Sequence, residues 1–181
     1  MPTLIQGWLA AVGAFCGVFF VIAGFAGPLL ALILALAAGY GAYKHFEEKY
    51  KIELNALLNP PSQVWQLPMP EAWTCLKDTL AAARVESGSS GVSNWSIKAE
   101  DNTRGQIQAQ INFSQALGSP NQLQVVSRTV VLNAQLTPEG DNTRVDIRYE
   151  IFSPSGTGLV ESVIKKTNEL MTQRVKISKG E

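Results

Sequence analysis

From Leu4 to Tyr43 the chain has no charged position, and charge then arrives all at once at Lys44, Glu47, Glu48 and Lys49, with His45 among them. As one helix this stretch would be about 60 Å long at about 1.5 Å per residue, twice the roughly 30 Å hydrocarbon core of a bilayer. Two spans fit, and "FAGP" at 25–28 is where the fold-back belongs. Gly24 and Gly27 permit a tight turn, and Pro28 suits the first position of a new helix, whose N–H is unpaired anyway. The pattern predicts a helix over 3–25 and a second starting near Pro28. One long signal-anchor helix is the rival reading. A cleaved signal peptide fits poorly, because no basic residue precedes Leu4 and the run is too long. Phe46, Tyr50 and Leu54 stand four apart, with Leu57 and Leu58 following, so the second helix runs on as an amphipathic extension until "NPP" at 59–61.

Beyond Val64 the periodicity changes. "VWQL" reads as a short strand. "PEAWTCLKDTLAAARV" reads as a helix opened by Pro70, with Glu71 in its first turn and an apolar stripe of Trp73, Leu76, Leu80 and Ala83. "ESGSSG", 86–91, reads as a loop. "NWSIKAE" places Trp95, Ile97 and Ala99 on one face. "GQIQAQINF" alternates Ile107, Ala109, Ile111 and Phe113 with Gln106, Gln108, Gln110 and Asn112. "TRVDIRYEIF" alternates Val145, Ile147, Tyr149 and Ile151 with Arg144, Asp146, Arg148 and Glu150. Clean period-two alternation means one buried and one wet face, as in an antiparallel sheet.

The run from Leu123 to Leu136 switches phase. Leu123 and Val125 are odd, while Val130, Leu132, Ala134 and Leu136 are even, which predicts a bulge or break near Ser127. "TPEGDN", 137–142, is a turn. The closing helix carries Val160, Val163, Ile164, Thr167, Leu170 and Met171 on one stripe, with Ser155 or Thr157 to cap it. The fold class is α+β: a transmembrane helical hairpin, then an antiparallel sheet whose apolar face is covered by an N-terminal and a long C-terminal helix. The domains are a hairpin at 1–43, a juxtamembrane extension and linker at 44–63, and a soluble domain at 64–181.

This element order, with "TRVDIRYEI" leading into the last helix, resembles the START-like helix-grip superfamily over residues 64–178. The resemblance implies a curved antiparallel sheet wrapped around the C-terminal helix. It also implies a pocket for a lipid or other apolar ligand between them. Large inward side chains (Trp95, Phe113, Tyr149 and Phe152 are the candidates) would fill such a pocket instead.

Charge refines the picture. All fifteen basic and fifteen acidic residues lie between Lys44 and Glu181, and the net charge of zero gives no nucleic-acid signal. Lys44, Lys49 and Lys51 flank the apolar run on its C-terminal side, so the positive-inside rule turns that side to the cytoplasm. A hairpin returns the N-terminus there too. Tyr40, Tyr43 and Tyr50 are interfacial aromatics. Cys16 and Cys75 fall one in each part, so neither part has an internal disulfide, and both thiols read as small packing residues in a reducing compartment.

No catalytic motif assembles. His45 is the single histidine, a juxtamembrane polar residue without ligand partners, and Cys75 has no histidine in its domain to activate it. No phosphate- or dinucleotide-binding loop occurs. The expectation is a non-enzymatic chain with no catalytic, cofactor or metal residues. Two features remain. Gly13 and Gly17, with Ala31, Ala35 and Gly39, have the small-xxx-small spacing that brings membrane helices close. Arg144, Asp146, Arg148 and Glu150 form a charged ladder, which either docks a partner or pairs across the sheet to keep an open face soluble. The expected partners are the bilayer and other membrane-protein subunits or a second copy of the chain. The reading is an accessory or assembly subunit with a protein-interaction domain; the alternative is a tethered domain for an apolar ligand.

Overall fold

The structure, a computed structural model, describes residues 2–87, 91–117, 124–152 and 158–178. The chain divides into two compact units, Met1–Asn55 and Ala56–Glu181.

The first unit is built on two helices, α1 (Pro2–Ala26) and α2 (Pro28–Leu58). Gly27 between them has φ +84°, a left-handed conformation that glycine takes without penalty, so the reversal falls at "FAGP" as the sequence predicts. The helices return antiparallel. A Cβ on Gly39 would lie 3.3 Å from the Ala11 carbonyl oxygen, and one on Gly7 would lie 2.7 Å from Phe46 Cβ. From Gly27 to Phe46 the hairpin is therefore about 28 Å long at about 1.5 Å per residue, close to a hydrocarbon thickness. α2 continues without interruption through the charged cluster, where Lys51 and Glu47 pair at 2.6 Å. Both helices are long and apolar enough to cross a membrane.

The second unit contains β1 (Gln63–Trp65), α3 (Met69–Ala82), β2 (Arg84–Ser87), β3 (Gly91–Asn94), β4 (Ser96–Asp101), β5 (Gln106–Leu117), β6 (Gln124–Glu139), β7 (Asn142–Phe152) and α4 (Gly158–Ser178). The main sheet has the order β1-β7-β6-β5-β4 with every pairing antiparallel, and β2 and β3 form a separate hairpin. Ile107, Ala109, Ile111 and Phe113 of β5 and Val145, Ile147 and Tyr149 of β7 point inward, as their alternation predicts. They meet the α3 stripe around Leu76 and Leu80 and the α4 stripe of Val160, Val163, Ile164, Thr167 and Met171. Gly105 fixes the β4–β5 turn. Its φ is +67°, and an added Cβ would collide with the Leu136 carbonyl oxygen, while Leu136 N donates to Gly105 O at 2.8 Å.

Four local expectations are corrected. β6 has no bulge near Ser127: its register against β5 is unbroken from Gln124 to Gln135, and Val126, Arg128, Val130, Leu132, Ala134 and Leu136 share one buried phase. The apparent phase switch came from Val125, which is exposed on the wet face. Leu123 lies outside the described residues. The irregularity is in β4 instead. Ile97 pairs with Ala109 and Ala99 with Gln108, so Lys98 is an inserted residue that swings Ala99 to the wet face. Ile97 is itself exposed on this edge strand, and only Trp95 is buried. A bulge carrying a lysine also protects an open sheet edge from further pairing. "ESGSSG" is not wholly loop: Glu86 pairs with Val92 and Ser87 with Gly91, while 88–90 lie outside the described residues. The predicted turn 137–142 shortens to Gly140 and Asp141, because Thr137, Pro138 and Glu139 still pair with β7. The expected caps Ser155 and Thr157 also lie outside the described residues.

Candidate functional site

The small residues of the hairpin separate into two groups. Ala31 and Ala35 are fully buried, and Gly39 touches Ala11 and Phe15, so the α2 series forms the inner seam with Gly7 opposite. Gly13 and Gly17 have nothing within 4 Å of the position an added Cβ would take, and lie on the outer face of α1 beside exposed Cys16, Leu9, Val12 and Phe20. Gly7 was missed as a seam residue because its partner is Phe46, not another small side chain. Cys16 is not a packing residue; Cys75 is buried within α3.

In the second unit, large side chains are buried among the described residues of the sheet and α4. Trp95, Phe113 and Tyr149 are all at most 8% exposed. The Trp95 and Tyr149 rings are 6.4 Å apart. Trp95 Nε1 donates to Thr167 Oγ1 at 3.3 Å, and the Tyr149 hydroxyl donates to Asn168 Oδ1 at 2.5 Å. These bonds join the sheet to consecutive residues of α4 and fix its rotation. Burial raises the Tyr149 pKa, so the phenol is neutral across the physiological range. Phe152, expected inward, is 58% exposed at the end of β7 and leaves the filling to the other three. Arg128 is a buried charged residue that sequence reasoning missed. It is 1% exposed, opposite Phe113 on the core phase of β6, and is engaged in interactions there. Carrying the even phase of β6 back through position 128 would have found it.

The wet face is a mesh of side-chain amides and charges. Gln106 donates to Gln135 at 3.0 Å, Gln108 to Asn133 at 2.9 Å and Asn133 to Glu150 at 3.0 Å. Within the charged ladder, Arg144 pairs with Glu139 at 3.0 Å and Asp146 at 3.6 Å, and Ser62 Oγ donates to Asp146. Arg148 and Asp146 line a shallow groove of about 700 Å³ with Gln108, Asn133, Glu100 and Asp101. Its carboxylates are largely committed: Glu100 to Lys77 at 2.8 Å, and Asp101 to the Thr103 hydroxyl at 2.5 Å and the Arg104 amide at 3.0 Å. The Thr103 and Arg104 hydrogen bonds hold the Asp101 carboxyl below its usual range. A second open groove, of about 760 Å³, lies between the outward faces of α3 and α4. Among the described residues no three His, Cys, Asp or Glu side chains gather where they could hold a metal ion.

No family model matches the chain, and no curated protein matches it at a significant level. Solved structures do. The crystal structure of Ara h 8.0201 is similar at 10% identity, over 67% of this chain and 96% of that one, with a TM-score of 0.47. TTHA0849 from Thermus thermophilus is 12% identical over 65% and 96%, at 0.30, and the Zhui aromatase/cyclase from Streptomyces is 10% identical over 64% and 88%, at 0.31. Nothing about superfamily, ligand or activity follows from these similarities.

Proposed function

We propose that this protein is a non-enzymatic, membrane-anchored accessory or assembly subunit whose α+β domain lies in the cytoplasm and binds other proteins. The observation that carries the choice between interaction and ligand binding is the filled interior. A pocket for an apolar ligand needs about 300 Å³ or more, whereas here Trp95, Phe113 and Tyr149 belong to one buried core cluster with the α4 stripe, and Trp95 and Tyr149 are hydrogen-bonded to α4. Anchoring draws support from the hairpin. The core helix of a soluble protein would be largely covered, but Phe20, Leu29 and Tyr40 are each more than two-thirds exposed, as suits lipid contact. The lysines after Tyr43 orient the domain to the cytoplasm. Partners are then other membrane-protein subunits or a second copy.

The test is affinity purification of the full chain from membranes in mild detergent, with mass spectrometry of both protein and lipid fractions. The proposal expects a stoichiometric polypeptide partner, or a second copy, and no tightly retained apolar molecule. One lipid held per chain through washing, with no protein partner, would replace it with the ligand-binding reading.

A further inference from the structure

The groove between α3 and α4 has walls of opposite charge. Glu71 and Asp78 stand on the α3 side and Arg174 on the α4 side. Buried Cys75 and half-buried Leu170 give it an apolar floor, and Ile177 stands at its rim 72% exposed. Among the described residues no ion pair engages Glu71, Asp78 or Arg174. The wet-face groove differs in this respect, since its carboxylates already have partners within the chain.

We propose that this groove seats a second copy of the chain, related by a two-fold axis that runs along the groove. In a two-fold contact one patch meets itself and must be self-complementary. An axis along the groove lays α3 of each copy over α4 of the other, so Glu71 and Asp78 face the partner's Arg174, and the contact is made twice. An axis across the groove would lay α3 on α3 and set the carboxylates against each other, which like-charge repulsion disfavours. The favoured arrangement also sets each exposed Ile177 against the α3 wall of the other copy. The groove supplies far fewer than the roughly 20–30 residues a side of a standard interface, so the contact is weak in dilute solution. Tethering raises the local concentration and compensates. This inference names a partner for the interaction reading and rests on it.

The experiment co-expresses two differently tagged copies of the full chain, cross-links them in the intact membranes, extracts them in mild detergent and measures co-capture. Wild-type copies should capture each other. Arg174→Glu makes both walls acidic, and Glu71→Arg with Asp78→Arg makes both basic; either variant paired with itself should lose at least tenfold. The two variants mixed should recover capture, which also shows that both fold. Self-capture of either variant at the wild-type level, as a contact through Gly13 and Gly17 would give, overturns the proposal. So does failure of the mixed pair to recover. Absence of wild-type capture alongside a stoichiometric foreign subunit overturns the dimer while leaving the interaction reading in place.

Discussion

Ile164 is fully buried on the α4 stripe, and replacing it with Asp puts a carboxyl into the middle of the core. An ordinary Asp has a pKa of about 3.9, so neutralising it at pH 7 costs about 4 kcal/mol at roughly 1.4 kcal/mol per unit; staying ionised inside the core costs more. Loss of the isoleucine packing adds about 2–5 kcal/mol. The total, about 6–9 kcal/mol, is comparable to the whole stability of a modestly stable domain, for which the range is about 5–15 kcal/mol. The core consists entirely of residues from the second unit, so the Ala56–Glu181 fragment is the proper material. Thermal melting followed by circular dichroism at pH 7 should show parent and Ile164→Val melting cooperatively, Val costing about 0.5–1.5 kcal/mol, and Ile164→Asp largely unfolded. The sign with pH is specific. A buried carboxyl has its folded-state pKa raised, so its penalty is absent below the unfolded pKa and grows as pH rises above it. Relative to parent, the Asp variant should regain about 4 kcal/mol between pH 7 and pH 4. A cooperative melt within a few degrees of parent at pH 7 would refute the placement of α4 on the sheet.

Gly39→Leu should lower the thermal stability of the detergent-solubilised hairpin, because the inner seam has no room beside Ala11, while Gly13→Leu should leave it unchanged. Equal losses would mean the seam is misassigned. Tyr149→Phe should cost about 1 kcal/mol by removing the bond to Asn168. Because burial raises the Tyr149 pKa, the parent should lose stability as pH climbs above about 10, where only the unfolded phenol ionises, and the Phe variant should lose less; identical profiles in alkaline denaturation would contradict this. Gly105→Ala should lower the melting temperature by several degrees, since it adds a positive-φ penalty of about 1 kcal/mol to a collision with the Leu136 carbonyl; an unchanged melt would contradict the turn geometry.

Periodicity made the fold class legible because each element buries one face. The β5 and β7 alternations and the α4 stripe translate directly into buried positions. What escaped the sequence depends on contacts between distant residues. Arg128 looks like a solvent residue by its charge alone; the even phase of β6, carried back through 128, and its pairing with Phe113 of β5 place it inside. The Lys98 insertion is likewise a property of the β4–β5 pair, not of β4 alone. Within the hairpin, small-residue spacing identified Ala31, Ala35 and Gly39, but which glycines face the partner helix depends on the rotation of α1. That rotation puts Gly13 and Gly17 outside and Gly7 inside. The charged walls of the α3–α4 groove lie about a hundred residues apart in the chain, beyond the reach of any local pattern.

Membrane anchoring through a hairpin underlies the whole account, and topology tests it most directly. Reporters fused before Met1 and after Glu181 of the full chain, read in cells by compartment-specific activity, should place both ends on the cytoplasmic side. An external N-terminus with an internal C-terminus would mean one long anchor helix, and a chain released from membranes by alkaline washing would mean no anchor at all.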